Sequence, residues 1–171
     1  MDRPLLMGIL NLTPDSFSDG GLYLEPEKAL ARAKALLEEG ADLLDLGAES
    51  TRPGAEPVPV EEEKRRLLPV LEAVLPLGAP VSVDTRKPEV AEEALRLGAH
   101  LLNDVTGLRD ERMAALAARY GVAAVVMHMP VPDPKTMMAH ARYADVVAEV
   151  KAFLKAQAER ALRMGVPQVV L

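Results

Sequence analysis

The stretch VSVDTRKPEVAEEALRLGAHLLND, residues 81–104, contains one complete repeat of the pattern on which the fold depends. Val81–Val83 is a short apolar run, and Pro88 then opens a segment whose apolar residues recur at helical spacing. Gly98 ends that segment three residues before Leu101 starts the next apolar run. This order predicts a strand, a crossover helix and a second strand that runs parallel to the first.

The same pattern recurs along the chain. The predicted strands are Leu5–Leu10, Leu43–Leu46, Val81–Val83, a run from Leu101, Ala123–Met127 and Val169–Leu171. The predicted helices are Pro26–Glu39, Val60–Leu75, Pro88–Leu97, Glu111–Tyr120 and Tyr143–Met164. A glycine follows each helix, at positions 40, 78, 98, 121 and 165. No linker or charge block divides the chain, so residues 1–171 are predicted to form a single domain.

Two α/β architectures fit this alternation: a doubly wound open sheet and a (β/α)₈ TIM barrel. Five strand–helix units and a sixth strand cannot close an eight-stranded barrel, which takes about 250 residues. The chain also stops inside an apolar run. We therefore expect the first five units and the sixth strand of a barrel, with strands seven and eight absent. An intact six-stranded open sheet is the alternative.

The composition excludes several classes of function. The chain has 171 residues, no cysteine, no tryptophan and a formal net charge of −6. Without cysteine there is no disulfide scaffold, thiolate metal site or cysteine nucleophile. The acidic balance and the 3% aromatic content argue against nucleic-acid binding. No apolar run reaches about 18 residues and no signal peptide is recognisable, so we expect no membrane span and a cytoplasmic location.

Polar residues end the predicted strands, where parallel α/β folds bind their ligands. A carboxylate at Asp84 can accept two hydrogen bonds from an amidine-like edge, although it can equally cap a helix or pair with Arg86 or Lys87. Asn103 offers a donor and an acceptor to a heterocycle, whereas Asp104 should point to the opposite face and be structural. Further strand-end residues are Asn11, Asp45 and His128.

Two predicted loops after strands are unusually long for an α/β fold. The first, residues 12–21, holds Phe17 among polar residues, which is typical either of a lid over a ring-shaped substrate or of a surface loop. The second, residues 49–59, holds Arg52, whose guanidinium either binds a phosphate or carboxylate or remains in solvent.

These stretches together resemble the dihydropteroate synthases. The resemblance rests on MGILNLTPDSFSDGG at 7–21, GAESTRPG at 47–54, SVDT at 82–85 and NDV at 103–105, and it extends to the end of the chain. One departure is Ala48, where many members have a glycine. The resemblance implies a TIM barrel and a transferase of folate biosynthesis. That enzyme condenses 6-hydroxymethyl-7,8-dihydropterin diphosphate with 4-aminobenzoate, with Mg²⁺, to give 7,8-dihydropteroate and pyrophosphate.

The resemblance also implies a role for each matching residue. Asn11 would help to hold the magnesium-bound diphosphate, and Thr51 would contact the pterin substrate. Arg52 would bind the departing anion or the aminobenzoate carboxylate, and with Asp84 it forms the implied catalytic pair. Asp84 and Asn103 would bind the pterin ring. The remaining implied substrate contacts are Met127 near that ring and, in the lid, Phe17 and Asp19.

The family motifs of strands six to eight are not in the chain, so we expect these 171 residues to be inactive alone. The resemblance also implies that the full-length protein is a homodimer. Two alternatives share the pterin site. One is a methyltransferase that passes a methyl group from methyltetrahydrofolate to a corrinoid partner, which does not need the 11–21 loop. The other is a shortened, non-catalytic pterin-binding relative.

Overall fold

The computed structural model describes residues 3–13, 26–50, 55–128 and 144–171, and within these ranges strands and helices alternate strictly. The strands are Met7–Asn11 (β1), Leu43–Gly47 (β2), Val81–Asp84 (β3), Leu101–Asp104 (β4), Ala123–Val126 (β5) and Val169–Val170 (β6). The helices are Pro26–Glu38 (α1), Val60–Val74 (α2), Pro88–Leu97 (α3), Glu111–Tyr120 (α4) and Val146–Arg163 (α5). A short 3₁₀ turn, Leu75–Leu77, follows α2.

The six strands form one parallel sheet in the order β1-β2-β3-β4-β5-β6. Every neighbour in the sheet is therefore also the neighbour in sequence, with a helix between each pair. A doubly wound sheet reverses its strand order at a switch point, whereas a TIM barrel does not. The strand order confirms the barrel architecture and argues against the doubly wound alternative.

One face of the sheet is packed against the helices. Leu10, Leu46, Val83, Leu102 and Ala124 are register partners across five strands, and all five side chains are buried. Buried side chains of the helices, among them Leu67 and Leu71 of α2 and Met113 of α4, complete this layer. Because side chains alternate along a strand, the residues between them point to the other face.

Glycines end the helices as predicted. Gly98 follows α3 with φ +118°, and its N–H donates to the carbonyls of Ala94 and Leu95. Gly121 follows α4 with φ +65° and caps that helix in the same way. A side chain is strained at such positive φ values, so glycine allows the chain to turn at once into the next strand. No described helix is long and apolar enough to cross a membrane.

Candidate active site

The residues at the carboxyl ends of the first four strands form a row across the sheet. Asn11 is the register partner of Gly47, Gly47 of Asp84, and Asp84 of Asn103. Register partners in a parallel sheet project to the same face. The structure thus brings together three residues that the sequence predicted for the site, at the edge where parallel α/β folds bind ligands.

Asp84 ends β3 in a partly buried position. Burial raises the pKa of its carboxyl to about 7, and the nearby charges of Asp45, Asp104, Glu63 and Glu49 add to the rise. A ligand that brings hydrogen-bond donors would favour the ionised form again. Asp84 is therefore suited to receive N–H groups or positive charge rather than another anion.

Asn103 lies beside Asp84 on β4, with 8% of its surface exposed. Its Nδ2 is 3.5 Å from Oδ2 of Asp45, at the long limit of a hydrogen bond. Its Oδ1 is buried, and no partner for it lies among the described residues. An orphaned buried acceptor is rare in a folded protein unless a ligand or water completes it.

Asp45 belongs to the site although the sequence assigned it no role beyond ending a strand. It lies on β2 two residues before Gly47, so its side chain points to the same face as that row, one step below it. Only 4% of its surface is exposed. Burial raises the pKa of the Asp45 carboxyl, and Ser82 and Asn103 offset part of the rise. The sequence signal was a lone acid at a site-facing position of an otherwise apolar strand.

Asp104 faces the other way, as predicted. It is fully buried on the helix side of the sheet, and its Oδ1 accepts hydrogen bonds from the backbone N–H and the hydroxyl of Thr106, both at 2.8 Å. Burial raises its pKa, while the Thr106 hydrogen bonds oppose the rise. These contacts hold the turn after β4, which indicates a structural role.

Arg86 and Lys87 do not pair with Asp84 in the described part of the chain. Lys87 Nζ is 2.6 Å from Glu63 Oε1 and 3.0 Å from Glu49 Oε2, and Arg86 Nε is 3.1 Å from Glu49 Oε1. Burial alone would raise the pKa of Glu49, but hydrogen bonds from Val58, Lys87 and Arg86 together hold it at about 2. This network ties the loop after β2 to the loop after β3.

Glu63 anchors that network from α2. It is 1% exposed, and its second oxygen accepts a hydrogen bond from the hydroxyl of Thr85 at 2.5 Å. Thr85 is the residue after Asp84, and its backbone N–H donates to the carbonyl of Asn103. The buried ion pair therefore positions the backbone on which the Asp84 carboxyl is carried.

Of the other predicted site residues, some lie within the described ranges and some outside them. Met127 directly follows β5, two residues beyond the register partner of Asn103, and its side chain is exposed. It therefore shares the face of the row. His128 packs edge-on against Phe153, with ring centroids 5.1 Å apart. Outside the described residues lie four candidates: Phe17, Asp19, Thr51 and Arg52.

A metal site made wholly of protein side chains is not found in the described ranges, where no group of three or more His, Asp or Glu side chains could hold an ion. Asn11 is exposed at the open end of β1 and offers one amide oxygen. A single oxygen fits Mg²⁺, which keeps several waters and takes the rest of its ligands from substrate phosphates.

Comparisons with known proteins show the family to which the chain belongs. A model of the family "Pterin binding enzyme" matches residues 7–171. The dihydropteroate synthase of Neisseria meningitidis serogroup B is 48% identical over 175 residues, which cover 100% of this chain and 61% of that protein. The chain thus spans about three-fifths of the length of this relative.

Solved structures give the same result. The dihydropteroate synthase from Thermus thermophilus in complex with 4-aminobenzoate is 78% identical, with a TM-score of 0.87 over 98% of this chain and 60% of that one. The enzyme from the same source in complex with 6HMPPP is 73% identical, with a TM-score of 0.83 over 98% of this chain and 58% of that one.

Proposed function

Because the chain belongs to the pterin-binding enzyme family, we propose that the intact protein catalyses the dihydropteroate synthase reaction. The observation that carries the proposal is the row Asn11, Gly47, Asp84 and Asn103 at the open ends of four adjacent strands. The relatives named above support the synthase reaction over methyl transfer to a corrinoid, since each is a dihydropteroate synthase.

The proposed reaction is a displacement at carbon. The amine nitrogen of 4-aminobenzoate forms a bond to the methylene carbon of the dihydropterin diphosphate. The bond from that carbon to the diphosphate oxygen breaks, diphosphate leaves with the electron pair, and the nitrogen loses a proton. The nucleophile needs little activation, so much of the rate must come from holding the two reactants in line.

Asp84 and Asn103 supply the pterin end of that arrangement. The Asp84 carboxylate accepts hydrogen bonds from the ring N–H and exocyclic amine, and it stabilises the positive charge that develops as diphosphate departs. Asn103 presents its Oδ1, which has no partner among the described residues, to another donor of the ring. Met127, exposed on the same side, would pack against the ring face.

Residues at the end of β1 and in the loops after β1 and β2 would bind the diphosphate and the aminobenzoate. Asn11 would hold a Mg²⁺ ion through its amide oxygen, and the bound ion would supply positive charge to the diphosphate. Thr51 would contact the pterin substrate, and Arg52 would bind the departing anion or the aminobenzoate carboxylate. Phe17 and Asp19 would cover the aminobenzoate. The homodimer stays a prediction that rests on the resemblance, and the cytoplasmic location stays a prediction that rests on the sequence alone.

The proposal is tested by incubating the intact protein with the dihydropterin diphosphate, 4-aminobenzoate and Mg²⁺. We expect dihydropteroate and diphosphate in equal amounts, and a loss of pterin affinity of at least about tenfold in Asp84→Asn, the size of one lost hydrogen bond to a charged group. Glu72→Gln, on the exposed side of α2, is the matched control and should behave as wild type. Pterin binding without any product would overturn the synthase assignment.

A further inference from the structure

An amide can present either of its two ends to a ligand, so something must fix the orientation of Asn103 before it can select one. Its nitrogen donates and its oxygen accepts, and a flip of the side chain exchanges them. Asp84 is its register partner, yet Nδ2 of Asn103 lies toward Asp45, 3.5 Å from Oδ2. A carboxylate oxygen accepts hydrogen bonds, so Asp45 favours the amide orientation in which Nδ2 of Asn103 points toward Asp45 and Oδ1 points away from it.

Asp45 is buried close to Asn103 and away from solvent. Its carboxyl is buried one step below the ligand row, and its register partner on β3 is the fully buried Ser82. Gly47, two residues later on β2, has no side chain and so does not cover Asp45. A methyl at Gly47 would lie 3.6 Å from Cβ of Asp84, in the ligand row itself. The substrate ring thus has room above Asp45 without needing to contact it.

We propose that Asp45 is a positioning residue that locks the Asn103 amide with its oxygen toward the pterin ring. The proposal rests on the proposed function and extends it, because it names the residue that makes the site select a donor at that point of the ring. A buried acid costs stability unless it is well partnered. Orienting the Asn103 amide would explain why an acid is buried at position 45. Asp45 acts through Asn103 and needs no contact with substrate.

The test measures the dissociation constant of 6-hydroxymethyl-7,8-dihydropterin for the intact protein by calorimetry. Asp45→Leu removes the acceptor at similar volume, and we expect about a tenfold loss of affinity, the size of one lost hydrogen bond. Asp45→Asn keeps an acceptor oxygen and should restore affinity to within about threefold of wild type. The KM for 4-aminobenzoate should not change in either variant.

A double-variant cycle separates positioning from a general structural effect. In an Asn103→Ala background, Asp45→Leu should change pterin affinity by less than about twofold, because there is no amide left to orient. A tenfold loss in both backgrounds would overturn the proposal while leaving the proposed function intact. A wild-type protein that does not bind the pterin would overturn both.

A second measurement covers the case in which Asp45→Leu does not fold. The Asn103 side-chain amide resonances are assigned by their disappearance in Asn103→Ala. In Asp45→Asn, which is nearly isosteric, these resonances should shift because the partner of Nδ2 changes from a carboxyl to an amide. Unchanged resonances would overturn the proposal. Glu72→Gln is the control that should leave them in place.

Discussion

Replacing Lys87 by methionine should destabilise the intact protein by about 3 kcal/mol. Lys87 Nζ lies 2.6 Å from Oε1 of Glu63, whose surface is 1% exposed. Removing one partner of a buried ion pair costs about 3–5 kcal/mol, since the other charge stays buried without compensation. We expect the lower end of that range. Thr85 still donates to Glu63, and Glu49, the second partner of Lys87, keeps its hydrogen bonds from Arg86 and Val58.

The assay is equilibrium unfolding in urea, followed by circular dichroism. The double variant Glu63→Leu with Lys87→Met removes the buried charge together with its partner. It should therefore cost about 1 kcal/mol or less, about 2 kcal/mol less than Lys87→Met alone, so the losses at the two positions should not be additive. Arg65→Met is the control: Arg65 pairs with Glu62 at 2.6 Å in solvent, and exposed pairs contribute almost nothing. A loss below about 1 kcal/mol in Lys87→Met, or additive losses in the double variant, would refute the reasoning.

Three further predictions concern the site and its frame. Because burial raises the pKa of Asp84 to about 7 and the ligand needs the carboxylate, pterin affinity should fall about tenfold from pH 8 to pH 6 by calorimetry. A pH-independent affinity, or the same slope in Asp84→Asn, would contradict this. Gly47→Ala should weaken pterin binding severalfold, because the added methyl would lie in the ligand row. The unfolding midpoint should change little, since the methyl meets Asp84 only at ordinary contact distance. Unaltered binding would argue against a ligand over Gly47. Gly121→Ala should lower stability by about 1 kcal/mol in urea, because φ is +65° in open space, and a neutral result would show that the cap is not strained.

The strand–helix alternation was readable from sequence because each element is decided locally. Apolar runs such as Val81–Val83, helical spacing after Pro88 and a glycine at the joint all act within a few residues. The strand order was not readable in the same way, because a barrel and a doubly wound sheet share these local patterns. Pairings such as Asn11 with Gly47, which are far apart in sequence, settle it.

The site residues could likewise be predicted from local sequence, whereas their ion-pair partners could not. Asp84 and Asn103 were predicted because a polar residue at the end of an apolar strand has a defined place in this fold. The sequence left an ion pair of Asp84 with Arg86 or Lys87 open, since adjacency along the chain is all that it offers. The actual partners, Glu49 and Glu63, lie on other elements, and their choice depends on how α2 packs against the loop after β3.

That choice of partners has a consequence for ligand selection. Arg86 and Lys87 are the cations nearest to Asp84 in sequence, and each is engaged by a glutamate in the network. Within the described ranges, nothing therefore neutralises Asp84, while the charge of Asp45 below it raises its pKa further. A ligand with an anionic group at this point would be repelled, and a ring edge rich in N–H donors would bind and restore the carboxylate. The network thus has a second effect besides joining two loops. Its glutamates pair with Arg86 and Lys87, so the partner of Asp84 must come from the ligand.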